Sequence, residues 1–360
     1  MKKKWSTEKI WEWYDSRPWI AGINFIPSTT INSAEWWQEY EHERVFTEIG
    51  KELALAQSIG YNSLRVGFPF EIWQIDKEMF FRHMDEFLSL CDAFGMTVMP
   101  VLFGDCCVPK SKHQEIRFGK QPEPVPGFFG GSPVTCFETL DEPGWLPIDE
   151  PGMDVVVEEY VKELAEHYGN DSRILIWNIW NEPGNSERRS TSLTMMTNVF
   201  NWLRKYDVMQ PLTTDVYAAM PDFPFPDEYM KDPRIETEIE LAAIELSDII
   251  SFHYYGDYVH TRIYIERLRK YERPLICDEW LHRPMRSFVQ THLPLFKREN
   301  VGSYMFGFVN GKRQFNEPWE YLKVRQDMDF SLWMHDIYHK NFLPYDQEEI
   351  DVIKQCNFSK

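Results

Sequence analysis

Two glutamates stand out in this 360-residue chain: Glu182 in IWNIWNEPGN and Glu279 in LICDEWLH, 97 residues apart. Each closes an apolar, strand-like run, although carboxylates are among the side chains least often buried. Pro183 removes the next backbone donor and stops a strand from continuing. Glu182 therefore stands where its strand surfaces. Two carboxyl groups facing one another are the equipment for breaking a glycosidic bond. One, protonated, gives its proton to the leaving oxygen; the other, ionised, attacks or supports the oxocarbenium-like centre. The neighbouring residue types fit that division. Arg65, His253 and Tyr255 are expected to hold Glu279 ionised. Burial near Trp180 and a nearby like charge are expected to raise the proton affinity of Glu182.

Other polar and aromatic residues fall at the ends of strand-like runs. Asn24 and Ser28 close the first, Arg65 lies in the second, and Asp105 ends the third. Asn181 precedes Glu182 in the fourth, and Asp215 and Tyr217 end the fifth. His253 and Tyr255 end the sixth, Asp278 and Trp280 flank Glu279 in the seventh, and Phe306 and Asn310 close the eighth. Each has a plainer reading. Arg65 is also what a paired structural arginine looks like, and Asp105 and Asp215 are also suited to capping a helix or turn. His253 suits a satisfied interior histidine, and Trp280 and Trp177 suit packing, which is preferred for Trp177 on strand parity. The site reading makes Arg65, Asp105, Asn181, His253, Tyr255, Trp280, Phe306 and Asn310 the substrate-binding residues around the glutamate pair.

Eight strand-like runs carry these residues, at 19–28, 61–70, 96–106, 173–183, 211–217, 248–257, 273–282 and 302–311. Between them run stretches with helical periodicity, such as Ile49, Leu53, Ala56 and Ile59, or Phe80, Met84, Phe87, Leu88 and Cys91. Apolar runs rather than half-polar alternation mark parallel strands covered on both sides. The expected fold is α/β: one (β/α)8 barrel over 1–360, with an N-terminal extension (1–18) and the last helix drawn from the C-terminal segment. Active sites of such barrels form at the C-terminal ends of the strands. A doubly wound sheet is disfavoured, because no glycine-rich phosphate loop follows the first strand. The Pro/Gly-rich stretch 107–152 is too irregular for a packed element and too long for a simple connection. Its aromatics Phe128, Phe129, Phe137 and Trp145 point to an ordered lid. A second Pro-rich loop spans 221–233.

The bulk properties exclude several classes. A net charge of −19 argues against nucleic acid or an anionic membrane as partner. No apolar run has the length of a signal peptide core or a membrane span. The six cysteines are scattered without paired metal-ligand spacing, with Cys91 and Cys277 in apolar runs and Cys106 beside Cys107 as a pair open to oxidation. A reduced, cytoplasmic protein is expected. The 14 Trp, 17 Tyr and 25 Phe mostly fill a large core, and the surplus suits the flat faces of sugar rings.

Taken in order, Arg65 in NSLRVGF, Asn181-Glu182 in WNEP, His253 and Tyr255 in SFHYY, and Glu279 in ICDEW resemble glycoside hydrolase clan A. These are the "4/7" barrels that include the family 5 cellulases. The likeness runs over nearly the whole chain, including INFIPSTTIN-x₃-WWQ early and FVNGKRQF-x₂-PW late. It implies a retaining β-glycosidase with Glu182 as acid/base and Glu279 as nucleophile, needing no metal or organic cofactor. It further implies that Asn181 bonds the 2-hydroxyl, Arg65 steadies the nucleophile and Tyr255 contacts it. Two departures stand out: Phe306 replaces the tryptophan many members place under the reacting sugar, and Asp105 stands where a histidine often follows the third strand. The expected substrates are β-linked oligosaccharides or glycosides, cleaved by an exo action. A non-catalytic carbohydrate-binding barrel and a transglycosidase using the same carboxylates are the alternatives. A metal-dependent barrel hydrolase is disfavoured, because INFIPS stands where a His-x-His should follow the first strand.

Overall fold

The computed structural model describes residues 3–135, 142–217 and 235–359. Eight parallel strands form the centre. They are β1 (Ala21–Asn24), β2 (Ser63–Gly67), β3 (Thr97–Gly104), β4 (Trp177–Asn181), a two-piece β5 (Leu212–Thr213 and Asp215–Val216), β6 (Ile250–His253), β7 (Leu275–Glu279) and β8 (Gly302–Phe306). β1 pairs with both β2 and β8, and pairing runs round the ring in order. The first piece of β5 pairs with β4 and the second with β6, so the barrel closes through that strand. At the break, Thr214 turns its hydroxyl to the carbonyl of Trp180 at 2.8 Å.

A helix follows each strand: His42–Ser58, Lys77–Ala93, Met153–Tyr168, Leu193–Lys205, Glu238–Leu246, Tyr258–Leu268, Val289–Arg298 and Gln347–Phe358. Their apolar faces are those the periodicity marks: Ile49, Leu53 and Ala56 in the first, and Phe80, Met84, Phe87, Leu88 and Cys91 in the second, are fully buried. Start signals are local. Asp76 accepts from the Met79 N–H, Asp257 from Val259 and His260, and Thr237 pairs with Glu240 in a capping box.

The N-terminal extension is a structural element. A helix over Thr7–Asp15 lays Ile10 and Tyr14 against Ile20, Met99, Leu175, Ile176, Ile249, Ile276 and Tyr304, forming a second apolar cluster. Seven of the nine lie at the N-terminal starts of strands or on the helix itself, so this element stoppers the end opposite the β4 and β7 glutamates. Among its described residues, the 107–152 insertion holds short 3-10 turns at Lys110–Lys112, Phe129–Gly131 and Pro147–Asp149. Phe137 and the 221–233 loop lie outside the described residues, as does Cys136. No described helix is long and apolar enough to cross a membrane.

Candidate active site

Parallel strands running the same way put Asn24, Arg65, Asn181, His253 and Glu279 at one end of the barrel, with Glu182 one residue beyond β4. Both glutamates are nearly enclosed, each 7% exposed. An oxygen of Glu182, a ring nitrogen of His253 and an oxygen of Glu279 lie within 4.8 Å of one another. Arg65 joins the strands. Its Nη1 donates to Asn24 Oδ1 and Glu279 Oε1, both at 2.8 Å, and its Nη2 to Asn181 Oδ1 at 2.6 Å and Asp215 Oδ2 at 2.8 Å. Tyr255 gives its hydroxyl to Glu279 Oε2 at 2.6 Å. His253 Nδ1 donates to Glu182 Oε1 at 2.8 Å and stands 3.6 Å from Glu279 Oε2.

Below this layer lie two further carboxyl groups. Asp215 Oδ1 accepts from Asn178 at 2.7 Å and Ser251 at 3.1 Å, and Oδ2 from the Glu182 amide at 3.2 Å. Asp278 Oδ2 accepts from Asn178 at 3.1 Å and lies 3.4 Å from Arg65 Nε. The two share the charge unequally. Burial opposes ionisation of Asp215, but Arg65 and His253 outweigh it and hold its pKa below the usual carboxylate range. Burial and the Asp215 charge push Asp278 well up, against His253 and Arg65. Burial works against charge on His253 as well, yet Glu279, Asp215 and Asp278 outweigh it and keep the ring an imidazolium.

The pKa values of the two glutamates shift in the opposite sense to that expected from sequence. Burial raises Glu182, but the hydrogen bond and charge of His253, with Cys106 and Asn185, bring it below its ordinary value. Glu279 is raised, by burial and by the Glu182 charge, against His253 and Arg65. The reason is geometric: the imidazolium N–H is spent on Glu182, not on Glu279.

Of the expected substrate-binding residues, Asp105 and Trp280 are buried away from the mouth, while Asn310 and Phe306 are half-buried at its β8 side. Asp105 is fully buried, and its oxygens take Trp180 Nε1 at 2.9 Å, the Gly184 amide at 2.7 Å, Arg188 Nε at 2.8 Å and the Ser192 hydroxyl at 2.7 Å. With both oxygens occupied it holds the loop after β4 and does not face a ligand. That loop needs holding: Glu182, Ser186, Glu187 and Arg189 all adopt positive φ, costing about 1–3 kcal/mol each. Trp280 is fully buried on the outer side, its indole N–H on Ser303 Oγ at 2.9 Å and its ring against Phe296. It follows Glu279, whose side chain points inward, and strand parity sends it the other way. Asn310 spends its amide on Asn316 and Asp336. Phe306 is half-buried among Phe129, Phe315 and His335.

Three features were not assigned to the site from sequence. Cys106, just past β3, sets its thiol 2.7 Å from Glu182 Oε2. Trp319 places its ring 5.3 Å from that of Tyr255 and 4.8 Å from that of His282. It is the tryptophan of the PW pair in the late motif, so a signal was present. Arg188 pins the β4 loop to the insertion through Asp149 at 2.7 and 2.8 Å and the Gly144 carbonyl at 3.0 Å.

The insertion also walls the mouth. Leaving β3, it passes the β1 loop, where Gln38 donates to the Gly119 carbonyl at 2.9 Å and Asn32 to Gln121 at 2.8 Å. It then meets the segment after β8. Gln314 accepts from the Gly127 amide at 2.9 Å and donates to the Val125 carbonyl at 2.8 Å, and Phe129 packs 5.1 Å from Phe315 and 6.2 Å from Trp319.

A parallel eight-stranded barrel with paired carboxylates at the ends of its fourth and seventh strands defines a class, the barrel glycoside hydrolases. A family model described as cellulase (glycosyl hydrolase family 5) matches residues 29–339, and the chain belongs to that family. A search of curated protein sequences gives no match. Among solved structures, the chain is similar to an exo-β-1,4-mannosidase from Opitutaceae bacterium strain TAV5 (TM-score 0.59, 12% identity), covering 94% of this chain and 59% of that one. A β-glucosidase (TM-score 0.54, 12% identity) is covered over 98% of its length by 94% of this chain. A broad-specificity endoglucanase from an uncultured bacterium (TM-score 0.53, 10% identity) is covered over 96% of its length by 97% of this chain. At these identities the likeness is one of fold.

Proposed function

We propose that the protein is a retaining β-glycoside hydrolase in which Glu182 is the acid/base and Glu279 the nucleophile. The observation that carries this is the clustering of both carboxylates and His253 within 4.8 Å. Retaining enzymes hold their two carboxyl groups about 5–5.5 Å apart, whereas inverting ones need about 6.5–9.5 Å to admit a water. Arg65 and Tyr255 each bind one oxygen of Glu279 and fix its plane, which orients it for attack.

At rest Glu279 is shifted up and Glu182 down, the reverse of what the chemistry needs, and substrate corrects this. A sugar bound over Glu279 develops positive charge at its anomeric carbon, which favours the ionised nucleophile, while the leaving oxygen beside Glu182 calls for a proton there. Glu182 then protonates the leaving group as Glu279 forms the glycosyl ester. With Glu279 esterified and uncharged, Glu182 takes a proton from water, which attacks the anomeric carbon and releases Glu279 as a carboxylate. The wall built by the insertion against the post-β8 segment supports exo action, since it blocks one end of a continuous cleft.

A 2-deoxy-2-fluoro glycoside with an activated leaving group is the test. Trapping of one fluorosugar per chain, located on Glu279 by peptide mass spectrometry, is expected; a label on Glu182 would reverse the roles. Glu279→Ala separates a carbohydrate-binding barrel from an enzyme: an enzyme loses turnover, a binder loses nothing. A ladder of linear products early in digestion of a polysaccharide would refute exo action.

A further inference from the structure

A cavity of about 390 Å³ opens beside the catalytic pair, over the ends of β2, β3 and β4. Gly67, Glu71, Cys106 and Asn181 line it, and Leu146 and Pro147 from the insertion close its outer side. The volume lies in the range of ligand pockets. We propose that this cavity is a side pocket for a sugar unit carried by the reacting sugar itself, on the 2- or 3-hydroxyl, so that the enzyme selects branched or capped glycosides. This rests on the glycosidase reading given above.

Gly67 is the feature that points to a ligand. It is the last residue of β2, two after Arg65, so both project to the same side of the strand. Arg65 fills its position, reaching Asn24, Asn181 and Glu279, the groups beneath a reacting sugar. One pleat higher, the side chain is missing. A Cβ at Gly67 would meet nothing within 4 Å, and the residue does not have a positive φ. Neither packing nor backbone conformation calls for glycine there, and what its absence of a side chain provides is open space. Gly104, at the end of β3, is different: a Cβ would come within 3.0 Å of Asn181 Cβ, so that glycine lets Asn181 sit where it does.

Position identifies the occupant. Asn181, which the glycosidase reading sets at the 2-hydroxyl, lines the cavity, and Gly67 lies one pleat above the arginine that steadies the nucleophile. A group carried on the 2- or 3-hydroxyl of the reacting sugar therefore faces this space. Glu71 offers a carboxyl for sugar hydroxyls; burial raises its pKa, with the nearby His113 opposing. The insertion then has two tasks, blocking the cleft with 119–131 and building the pocket with 146–148.

The experiment compares 4-nitrophenyl β-glucoside and β-mannoside with their 2-O- and 3-O-β-glucosyl derivatives, using wild type, Gly67→Ala and Gly67→Leu. Wild type is expected to prefer one branched series and to release the disaccharide intact. Gly67→Leu should lower kcat/KM on that series by about ten- to a hundredfold, Gly67→Ala by less, and both should leave the unbranched glycosides unchanged. Equal losses on branched and unbranched substrates, or wild-type refusal of every branched one, would overturn the pocket. So would a Gly67→Leu effect that follows the aglycone. If no glycoside is cleaved, the catalytic reading fails by itself. Calorimetric titration with the free disaccharides then decides the pocket: binding lost in Gly67→Leu supports it, and equal or absent binding in both proteins removes it.

Discussion

Arg65→Met removes a charge and its donors while keeping most of the apolar stem, and its consequences follow from the contacts. The guanidinium faces Asp215 at 2.8 Å, Glu279 at 2.8 Å and Asp278 at 3.4 Å, and is 5% exposed. Asp215 and Glu279, the two carboxyl groups it directly hydrogen-bonds, are the ones most exposed to the loss. Removing one side of a buried ion pair costs about 3–5 kcal/mol, because the other charge remains buried and unpaired. His253 stays close to Asp215, 3.2 Å away, and compensates in part. The lower half of that range, about 3 kcal/mol at neutral pH, is the expected loss.

That loss depends on pH in a direction the structure fixes. Asp215 has a depressed folded pKa, so its stabilisation is present above the ordinary carboxylate range and is lost as pH falls through the folded value. In Arg65→Met the folded pKa of Asp215 climbs, and the protein takes up protons where it would otherwise hold unpaired charge. The difference between wild type and variant is therefore full near neutrality and shrinks as pH drops from about 7 to about 4.5. Urea unfolding followed by tryptophan fluorescence across that range measures it. A deficit that stays constant or grows on acidification would show that Arg65 acts through shape, and the electrostatic argument would fail. Arg65→Lys should restore part of the stability but little of the turnover, since one ammonium does not reproduce the fork that spans Asn24, Asn181, Asp215 and Glu279.

Two further outcomes can be stated. Asp105→Asn keeps the shape but weakens the hold on Arg188 and forces one amide hydrogen toward existing donors. Its effect is expected to be a loss of about 2–4 kcal/mol in stability, from breaking the buried pair, together with reduced kcat at nearly unchanged KM; a purely thermal effect with full kcat would mean the β4 loop holds itself. Glu52, fully buried, has its pKa pushed by burial up to about 8, against hydrogen bonding from Ser28. The folded chain keeps a proton the unfolded chain loses, so wild-type stability falls by roughly 1.4 kcal/mol per unit as pH rises from about 4.5 to about 8. Glu52→Gln should match wild type near pH 4.5 and exceed it above pH 8, roughly; parallel melting curves across that range would refute this.

The barrel was legible because its signals are local and repeat. Each strand reads as a short apolar run because it is covered on both sides, and each helix shows a buried stripe with a start signal. Phe80, Met84, Phe87, Leu88 and Cys91 form the expected face of Lys77–Ala93, and Thr237 with Glu240 marks the start of the next-but-two helix in a form readable from sequence alone. The break at Thr214 was not legible, since PLTTDVY has no feature that distinguishes one strand from two pieces of one. The stoppering helix at Thr7–Asp15 was passed over for another reason. Its periodicity is ordinary, and only the closed barrel creates the apolar floor that Ile10 and Tyr14 cover.

Strand parity separates the site residues that sequence placed well from those it did not. Glu279 and Trp280 are neighbours at a strand end, and an argument from position alone credits both; alternation sends one into the mouth and the other under the helices. The same rule, applied to Arg65 and Gly67, turns an unremarked glycine into an opening above the nucleophile's arginine. Asp105 fails differently, because its partners Gly184, Arg188 and Ser192 lie some eighty residues on, and only their folded positions show that all its acceptor sites are taken. The proton distribution is the least legible of all. Residue types promise an imidazolium between two glutamates, but which one receives its N–H depends on less than an ångström, 2.8 Å against 3.6 Å. Pattern thus places the groups, while the state in which they wait for substrate is decided by distances that no spacing in the chain encodes.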